Sequence, residues 1–158
     1  MSRALAVFGI TGGSGRCVLI GPRAPYTDVF CAAATVGVVA AMREAGVRRL
    51  VCQTGAMIGP GNRTRPFEWM ARAFARRQPA AARDRVDQER VVQDSGLDWT
   101  TVKPPRLTES PLRHVVDAGH ALRVGLLSSI TRADLAAFIL DAIEQSGHVG
   151  ARLFVRCR

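Results

Sequence analysis

Blocks of apolar residues, separated by turn-forming residues, predict a chain of alternating strands and helices. Residues 3–9 form a compact apolar run that is typical of a buried strand, and a glycine-rich turn follows immediately. Small apolar residues recur at helical spacing over residues 27–45, and Gly46 provides a suitable end, so we predict a long helix there. Residues 47–54 are predicted to form the next strand.

The rest of the chain continues this alternation. Three glycines and two prolines within residues 55–66 predict an irregular loop at the carboxyl end of the preceding strand, where α/β proteins carry binding sites. The predicted elements after this loop are helices over residues 67–78 and 83–95 separated at Pro79, a strand over 98–103, a short hairpin of 114–117 with 121–124, a helix from Thr131, and a strand over 152–156. The Thr131 helix is the clearest, because residues 131–134 have the form of a capping box.

This order of elements predicts a single α/β domain over residues 1–158. Strands that alternate with helices form a mostly parallel sheet with helices on both faces, which is the three-layer, Rossmann-like arrangement. With 158 residues and 47% hydrophobic content, the chain can bury one core without metal ions or disulfides. The four cysteines are scattered without zinc-site spacing, so we expect no metal site and a reduced, cytoplasmic protein. The longest apolar stretch, residues 29–42, is too short to predict a membrane span.

The net charge of +9 favours polyanionic partners only in a general way. The basic residues cluster most clearly on one predicted helix, where Arg72 and Arg76 are four apart and share a face. This spacing is compatible with phosphate contacts, but a solvated helix face explains it more simply, and no recognised nucleic-acid motif accompanies it. From the sequence we therefore do not expect a nucleic-acid partner.

The turn after the first predicted strand has a spacing that is typical of phosphate binding. Gly9, Gly12 and Gly15 form a G-x-x-G-x-x-G pattern, in which the missing side chains let the backbone turn tightly beside a pyrophosphate at a helix N-terminus. The candidate cofactor-binding residues in this loop are Gly9, Thr11, Gly12, Gly13, Ser14, Gly15 and Arg16. The two hydroxyl groups can donate hydrogen bonds to a phosphate, and the guanidinium group can pair with its charge.

Three segments in order resemble the NmrA-like, NAD(P)H-binding atypical short-chain dehydrogenases, which have flavin reductase/biliverdin reductase B as a close relative. The segments are GITGGSGR at residues 9–16, VAAMREAGVRRLV at 39–51 and SGLDWTTVKPPRLT at 95–108, and the predicted helix at 130–136 also matches. The resemblance covers most of the chain. It implies a Rossmann fold and a nicotinamide dinucleotide as small-molecule partner, NADP or NAD, with NADPH favoured.

The resemblance also implies roles for residues at two strand ends. In the family, the strand that ends at Thr54 and Gly55 faces the nicotinamide, and the loop of Pro104 and Pro105 closes beside the nicotinamide ring. The implied function is that of an NAD(P)H-dependent oxidoreductase acting on a flavin, a quinone or a similar planar acceptor. The alternative is a non-catalytic protein that senses the dinucleotide or binds a partner, a role known for some NmrA-like proteins.

The chain departs from the family pattern directly after the glycine loop. Only 11 residues separate Gly15 from Thr27. A βαβ unit needs about 30 residues, so the predicted domain is shortened by about two βα units. Two arrangements are compatible with this gap: residues 18–22 form the family's fourth strand, or residues 14–20 form the first turns of the cofactor helix and that strand is absent. In both, the adenosine end lacks its usual ribose reader, and the uncovered sheet edge favours a homo-oligomer.

The positions that carry catalysis in the family are changed in this chain. The relatives have a serine where Gly55 stands, and the flavin/biliverdin reductases have a histidine where Arg106 stands. The chain has no Tyr-x-x-x-Lys pair, so we assign no catalytic residue and leave activity open. Asp84 and Glu89 match acidic positions of a family helix, and we expect both side chains to be exposed to solvent.

Overall fold

The computed structural model describes residues 29–111, 115–144 and 146–158. The glycine loop at residues 9–16, the first predicted strand and the alternative arrangements after Gly15 lie outside the described residues. Within these ranges the elements are α1 (Cys31–Glu44), β1 (Arg49–Gln53), α2 (Arg65–Arg77), α3 (Pro79–Gln93), β2 (Asp98–Lys103), β3 (Arg106–Thr108), β4 (Val116–Gly119), β5 (Ser129–Thr131), α4 (Arg132–Glu144), the short 3-10 helix Ser146–His148 and β6 (Ala151–Cys157).

The sheet of the described residues is mostly parallel, as the alternation of elements predicts. Its strand order is β1-β2-β6-β4, in which β1, β2 and β6 run parallel and β4 runs antiparallel to β6. Val51 lies opposite Thr100, and Val102 lies opposite Leu153. The short strands β3 and β5, which the sequence did not predict as strands, form a separate parallel pair. The mostly parallel sheet confirms the predicted α/β, Rossmann-like fold class.

The two faces of the sheet have different chemistry. The face toward α4 is apolar, because Val102, Leu153 and Val155 pack there against Leu135 and Ile139. The core therefore lies mainly between α4 and the sheet, where the exclusion of apolar surface from water stabilises the fold.

The opposite face is covered by α1 and α3, and much of its contact is polar. Gln88 on α3 donates to Thr35 on α1 at 3.2 Å and contacts the sulfur of Cys52 on β1 at 3.6 Å. An apolar cluster that includes Met42 and Leu97 supplements these contacts. Helices on both faces give the predicted three layers. Among the helices that the structure describes, none is both long and apolar enough to cross a membrane.

The start of α4 follows the predicted capping box. The hydroxyl group of Thr131 accepts a hydrogen bond from the backbone N–H of Asp134 at 2.9 Å, and it donates to the Asp134 carboxylate at 2.6 Å. These contacts satisfy a backbone donor that the first turn of a helix leaves without an intrahelical partner. A local sequence signal is enough to place this helix.

The predicted hairpin of residues 114–117 with 121–124 is wrong. Val116 to Gly119 form β4, which pairs with β6 through Ala118 opposite Val155. Val124 instead forms an isolated parallel bridge with Arg63. The long strand β6 supplies a backbone partner for every residue of β4, so β4 pairs with β6 and not with residues 121–124.

Two further predictions about α3 are corrected. The helix begins at Pro79 and not at residue 83, because proline fits the first helical turn, where its missing N–H costs no hydrogen bond. Asp84 is buried and not exposed. Its carboxylate accepts hydrogen bonds from the backbone N–H groups of Cys31 at 2.9 Å and Ala32 at 3.0 Å. Asp84 thus places a negative charge at the N-terminus of α1, where the helix dipole favours it.

Replacing Asp84 with alanine should destabilise the protein by about 1 to 3 kcal/mol, because two buried backbone donors lose a charged acceptor. Urea unfolding followed by circular dichroism measures the change. Asp87→Ala on the same helix is the control: Asp87 pairs with Arg90 at a solvent-exposed position, so its loss should cost no more than about 0.5 kcal/mol. Equal effects of the two substitutions would contradict this role of Asp84.

Candidate functional site

The carboxyl ends of β1 and β2 lie side by side and bring two predicted site segments together. The N–H of Thr54 donates to the carbonyl of Val102 at 2.9 Å, and the N–H of Ala56 donates to the carbonyl of Pro104 at 2.9 Å. The parallel pairing thus continues beyond the strands, so that Gly55 and Pro104 share one edge of the sheet, with Pro105 next to them. In open α/β sheets, ligands generally bind at this edge, outside the carboxyl ends of the strands.

A buried ion pair lies beneath this edge. Lys103, the last residue of β2, is completely buried, and its ammonium group lies 2.8 Å and 3.0 Å from the two carboxylate oxygens of Glu89. The hydroxyl group of Thr54 donates to the same carboxylate at 2.7 Å. Glu89 is 4% exposed, so the expectation that it faces solvent is wrong. The three side chains tie α3 to the ends of both strands.

Burial governs the electrostatics of this group. Removal from water lowers the pKa of Lys103, and the neighbouring Glu89 carboxylate opposes that shift by favouring the charged ammonium. The ring of Phe154 adds a contact, with its centroid 5.7 Å from the Lys103 nitrogen. The Glu89 carboxylate and the Phe154 ring therefore both stabilise the positive charge of Lys103.

The loop of residues 55–61 is held by one guanidinium group. The side chain of Arg63 is 6% exposed. It donates to the carbonyl of Ala56 at 2.7 Å, to that of Ile58 at 3.0 Å and to that of Gly59. Its other terminal nitrogen donates to Glu68 at 2.9 Å, and this hydrogen bond is the main cause that lowers the pKa of Glu68. Arg63 thus replaces water as the partner of an irregular backbone segment.

Two glycines let this loop approach the ion pair and the sheet. Gly59 has φ of +61°, and a Cβ on it would lie 3.3 Å from Glu89 and 3.4 Å from Lys103. A Cβ on Gly61 would lie 2.1 Å from the ring of Phe154, a distance that no side chain can tolerate. The loop therefore covers the ion pair closely because both positions lack side chains.

Space is open at Gly55, in contrast to these two positions. Apart from Gly55 itself and its two chain neighbours, no described atom lies within 4 Å of the position that a Cβ on Gly55 would take, and its φ is outside the left-handed region. The polar side chains nearest to it along the strands, Thr54 and Lys103, already bind Glu89. Of the side chains that the structure describes at this edge, Thr54 and Lys103 are thus engaged within the protein and are not available to a substrate.

Several residues considered from the sequence lie elsewhere. Arg106, which stands at a histidine position of the reductases, is exposed on β3, and His120 is exposed after β4. Gly9, Thr11, Gly12, Gly13, Ser14, Gly15 and Arg16 lie outside the described residues. Within the described ranges, no three His, Cys, Asp or Glu side chains are grouped closely enough to hold a metal ion.

The sequence analysis missed Lys103 and Arg63 and assigned no contact to Glu89. A lysine at the end of a strand that lies inside a parallel sheet needs a buried acidic partner, and the next helix upstream contains Glu89. That signal was available. No comparable signal identifies Arg63, because its partners are backbone carbonyls of a loop.

The sequence is similar to a family whose description names its ligand. The family model described as NAD(P)H-binding matches residues 1–146. The chain belongs to this family. The match confirms the resemblance to NAD(P)H-binding atypical short-chain dehydrogenases and makes a nicotinamide dinucleotide the ligand of the domain. No curated protein sequence matches the chain significantly.

Solved structures show the same fold at low sequence identity. An oxidoreductase from Lactococcus lactis is 15% identical with a TM-score of 0.67, and the match covers 89% of this chain and 61% of that one. An anaerobillin reductase from Escherichia coli O157:H7 is 17% identical with a TM-score of 0.64, over 80% of this chain and 58% of that one. A protein assigned as an NADH-flavin reductase from Streptococcus pneumoniae TIGR4 is 16% identical with a TM-score of 0.64, over 89% and 70%. The chain thus spans less than two thirds of the first two structures.

Replacing Lys103 with methionine should destabilise the protein by about 3 to 5 kcal/mol, because Glu89 would keep a buried charge without its main partner. The double variant Lys103→Met with Glu89→Leu should recover a large part of this loss, since it removes both charges. Urea unfolding of the two single variants and the double variant gives the coupling free energy. A Lys103→Met variant within about 1 kcal/mol of the wild type would show that the pair is not needed to hold α3 on the sheet.

Replacing Arg63 with lysine should loosen the loop of residues 55–61, because an ammonium group cannot bind three carbonyls and a carboxylate in the same geometry. The amides of Ala56 and Ile58 should exchange with solvent roughly tenfold faster or more, which corresponds to the loss of one or two hydrogen bonds. Amide hydrogen exchange with peptide resolution measures this effect. Arg65→Lys, an exposed neighbour, is the control, and unchanged protection in the Arg63 variant would contradict the role of Arg63.

Proposed function

We propose that the protein is an NAD(P)H-dependent reductase whose acceptor is a flavin, a quinone or a similar planar molecule. The single observation that carries this proposal is the open edge at Gly55 and Pro104, formed at the carboxyl ends of two parallel strands in an NAD(P)H-binding chain. The chain spans less than two thirds of the first two solved structures described above, which show only its fold. The activity and the acceptor are therefore proposed for this chain.

The described edge fits the nicotinamide end of the cofactor. The space beside Gly55 lets a ligand atom approach the backbone, and the buried Pro104 provides an apolar neighbour. Thr54, Gly55, Pro104 and Pro105 are the residues that would hold this end. The phosphates would bind the glycine loop through Gly9, Gly12 and Gly15, as the sequence predicts.

Hydride transfer is the chemistry that a bound nicotinamide supplies, and the protein contributes position and environment. The hydroxyl group of Thr54 is bound to Glu89, so it fixes the strand end and does not donate a proton to the acceptor. Arg63 keeps the following loop in one conformation. With no free acidic side chain at the described edge, the acceptor takes its proton from water, as the heteroatoms of quinones and flavins allow.

The sequence supports proposals about cofactor preference, oligomeric state and location. NADPH is favoured as cofactor by the family resemblance. We expect little discrimination against NADH beyond the charge that Arg16 in the glycine loop, or Arg23 further along the chain, adds. We also propose a homo-oligomer, because a shortened sheet leaves an edge to be covered. The cysteines are scattered along the chain, and Cys31 and Cys52 form no disulfide, which supports a cytoplasmic location.

A second candidate is a non-catalytic protein that senses the dinucleotide or binds a partner. It is favoured by the pairing of Thr54, Glu89 and Lys103 with one another and by the absence of a side chain at Gly55, where the relatives have serine. The two functions predict the same cofactor binding and differ in turnover. Oxidation of NADPH in the presence of a flavin or a quinone separates them.

Calorimetric titration with NADPH and NADH tests the cofactor. We expect weak binding of both, with little preference, because the sequence predicts a shortened domain without the usual ribose reader at the adenosine end. Gly12→Val should abolish binding while circular dichroism stays unchanged. The control is Gly37→Val, where an added Cβ meets nothing within 4 Å on α1. No binding by the wild type at millimolar cofactor contradicts the proposal, and equal binding by Gly12→Val contradicts the glycine-loop site.

Gly55→Ser restores the residue of the relatives at a position with free space and ordinary backbone geometry. The free energy of unfolding should change by less than about 0.5 kcal/mol. We expect kcat with a quinone acceptor to rise by roughly tenfold through one added hydrogen bond, with the Kd for NADPH unchanged. Gly55→Ala is the matched control without a hydroxyl group. If serine and alanine variants have the same kcat, this edge does not contact the acceptor.

A further inference from the structure

The outer face of α2 carries a stripe of basic and aromatic side chains. Arg65, Trp69, Arg72 and Arg76, which we call the Arg-Trp stripe, follow one another at spacings of four, three and four residues, and all four are exposed. At 100° per residue they lie within an arc of about 60° and extend about 16 Å along the helix. The helix turns its other face inward, where it buries Phe67.

Trp69 is the unusual member of this stripe. Its side chain is 74% exposed, although tryptophan is highly buried on average in folded proteins. Single exposed apolar residues need no explanation, but Trp69 has an arginine one turn before it and another one turn after it on the same line. The sequence alone favoured a solvated basic face here, and the exposed indole at its centre changes that interpretation.

The stripe carries more positive charge than its neighbours neutralise. The Glu68 carboxylate on the same helix binds Arg72 at 3.2 Å and is shared with Arg63. Among the ion pairs of the described residues, none involves Arg65 or Arg76. The net charge of +9 adds a long-range attraction for polyanions.

We propose that the Arg-Trp stripe binds single-stranded nucleic acid, with a base stacked on Trp69 and phosphates bound by the three arginines. An aromatic platform between cationic side chains is the combination that recognises single strands without sequence preference, because every base has a face to stack and every nucleotide has a phosphate. A membrane surface fits less well. An interfacial helix needs a broad apolar face, and α2 buries its apolar face inside the protein.

Titration of the full chain with a fluorescent oligodeoxythymidylate of about 12 nucleotides tests the proposal at several salt concentrations. Three phosphate contacts predict that log K falls against log salt with a slope of about −2. The affinity should thus fall about 20-fold between about 50 mM and 200 mM salt. No binding at the lowest salt concentration would overturn the proposal.

Variants of Trp69 separate stacking from simple apolar contact. Trp69→Leu should weaken oligonucleotide binding on the order of tenfold, whereas Trp69→Phe should keep most of the affinity because it keeps an aromatic face. Equal affinities of the leucine variant and the wild type would overturn the stacking arrangement.

Variants of two adjacent arginines test the position of the phosphates. Arg76→Gln should reduce the steepness of the salt dependence by about 0.7, because one phosphate contact is lost. Arg77→Gln removes the same charge from the next exposed residue, about 100° away around the helix, and should leave the slope unchanged. Equal effects of the two would show that general charge and not the stripe attracts the strand.

Sedimentation with vesicles of phosphatidylserine and phosphatidylcholine provides the opposing outcome. We expect no binding to these vesicles at a salt concentration where the oligonucleotide binds. Vesicle binding that is lost in Trp69→Leu, together with no oligonucleotide binding, would assign the stripe to a membrane surface and overturn the proposal.

Discussion

The buried pair of Glu89 and Lys103 fixes how the carboxyl edge of the sheet is built. Two opposite charges that are removed from water are tolerable only while they face each other, so α3 and β2 have one relative position in which both are satisfied. Thr54 joins the same carboxylate and ties in the end of β1. The loop after Thr54 then covers the pair through Gly59. The edge at Gly55 and Pro104 is thus built on a layer of charged groups that bind one another.

Arg63 holds the loop that covers this pair. An irregular backbone segment must satisfy its carbonyl groups, and here one planar guanidinium group serves three of them. The consequence is a loop that is rigid without secondary structure. Such a site suits chemistry in which a cofactor reacts and the protein holds position, since no side chain has to move or exchange a proton during the reaction.

Local signals in the sequence were sufficient for much of the fold. The strand Asp98–Lys103 has the predicted bounds, and α4 starts at the predicted cap, because neighbouring residues determine both features. The hairpin failed because β4 pairs with a strand more than thirty residues away in sequence. Asp84 and Glu89 were expected at the surface because helical spacing alone does not show that a neighbouring helix N-terminus or a strand-end lysine faces them. Of the predicted site, the structure brings Gly55 and Pro104 to one edge, and the glycine loop stays a prediction.

The difference between the two sheet faces has a consequence for how this sequence can change over time. On the face toward α4, one aliphatic residue can replace another of similar volume at a modest cost in stability, so Leu153 or Val155 can each be substituted alone. On the face toward α3, changing one member of the charged pair leaves the other without its partner. A protein in which one of the two is replaced is therefore less stable than a protein in which both or neither are replaced. Glu89 and Lys103 should therefore vary together among homologues or not at all. The fold carries one half that evolves by single steps and one half that is held by correlated replacement.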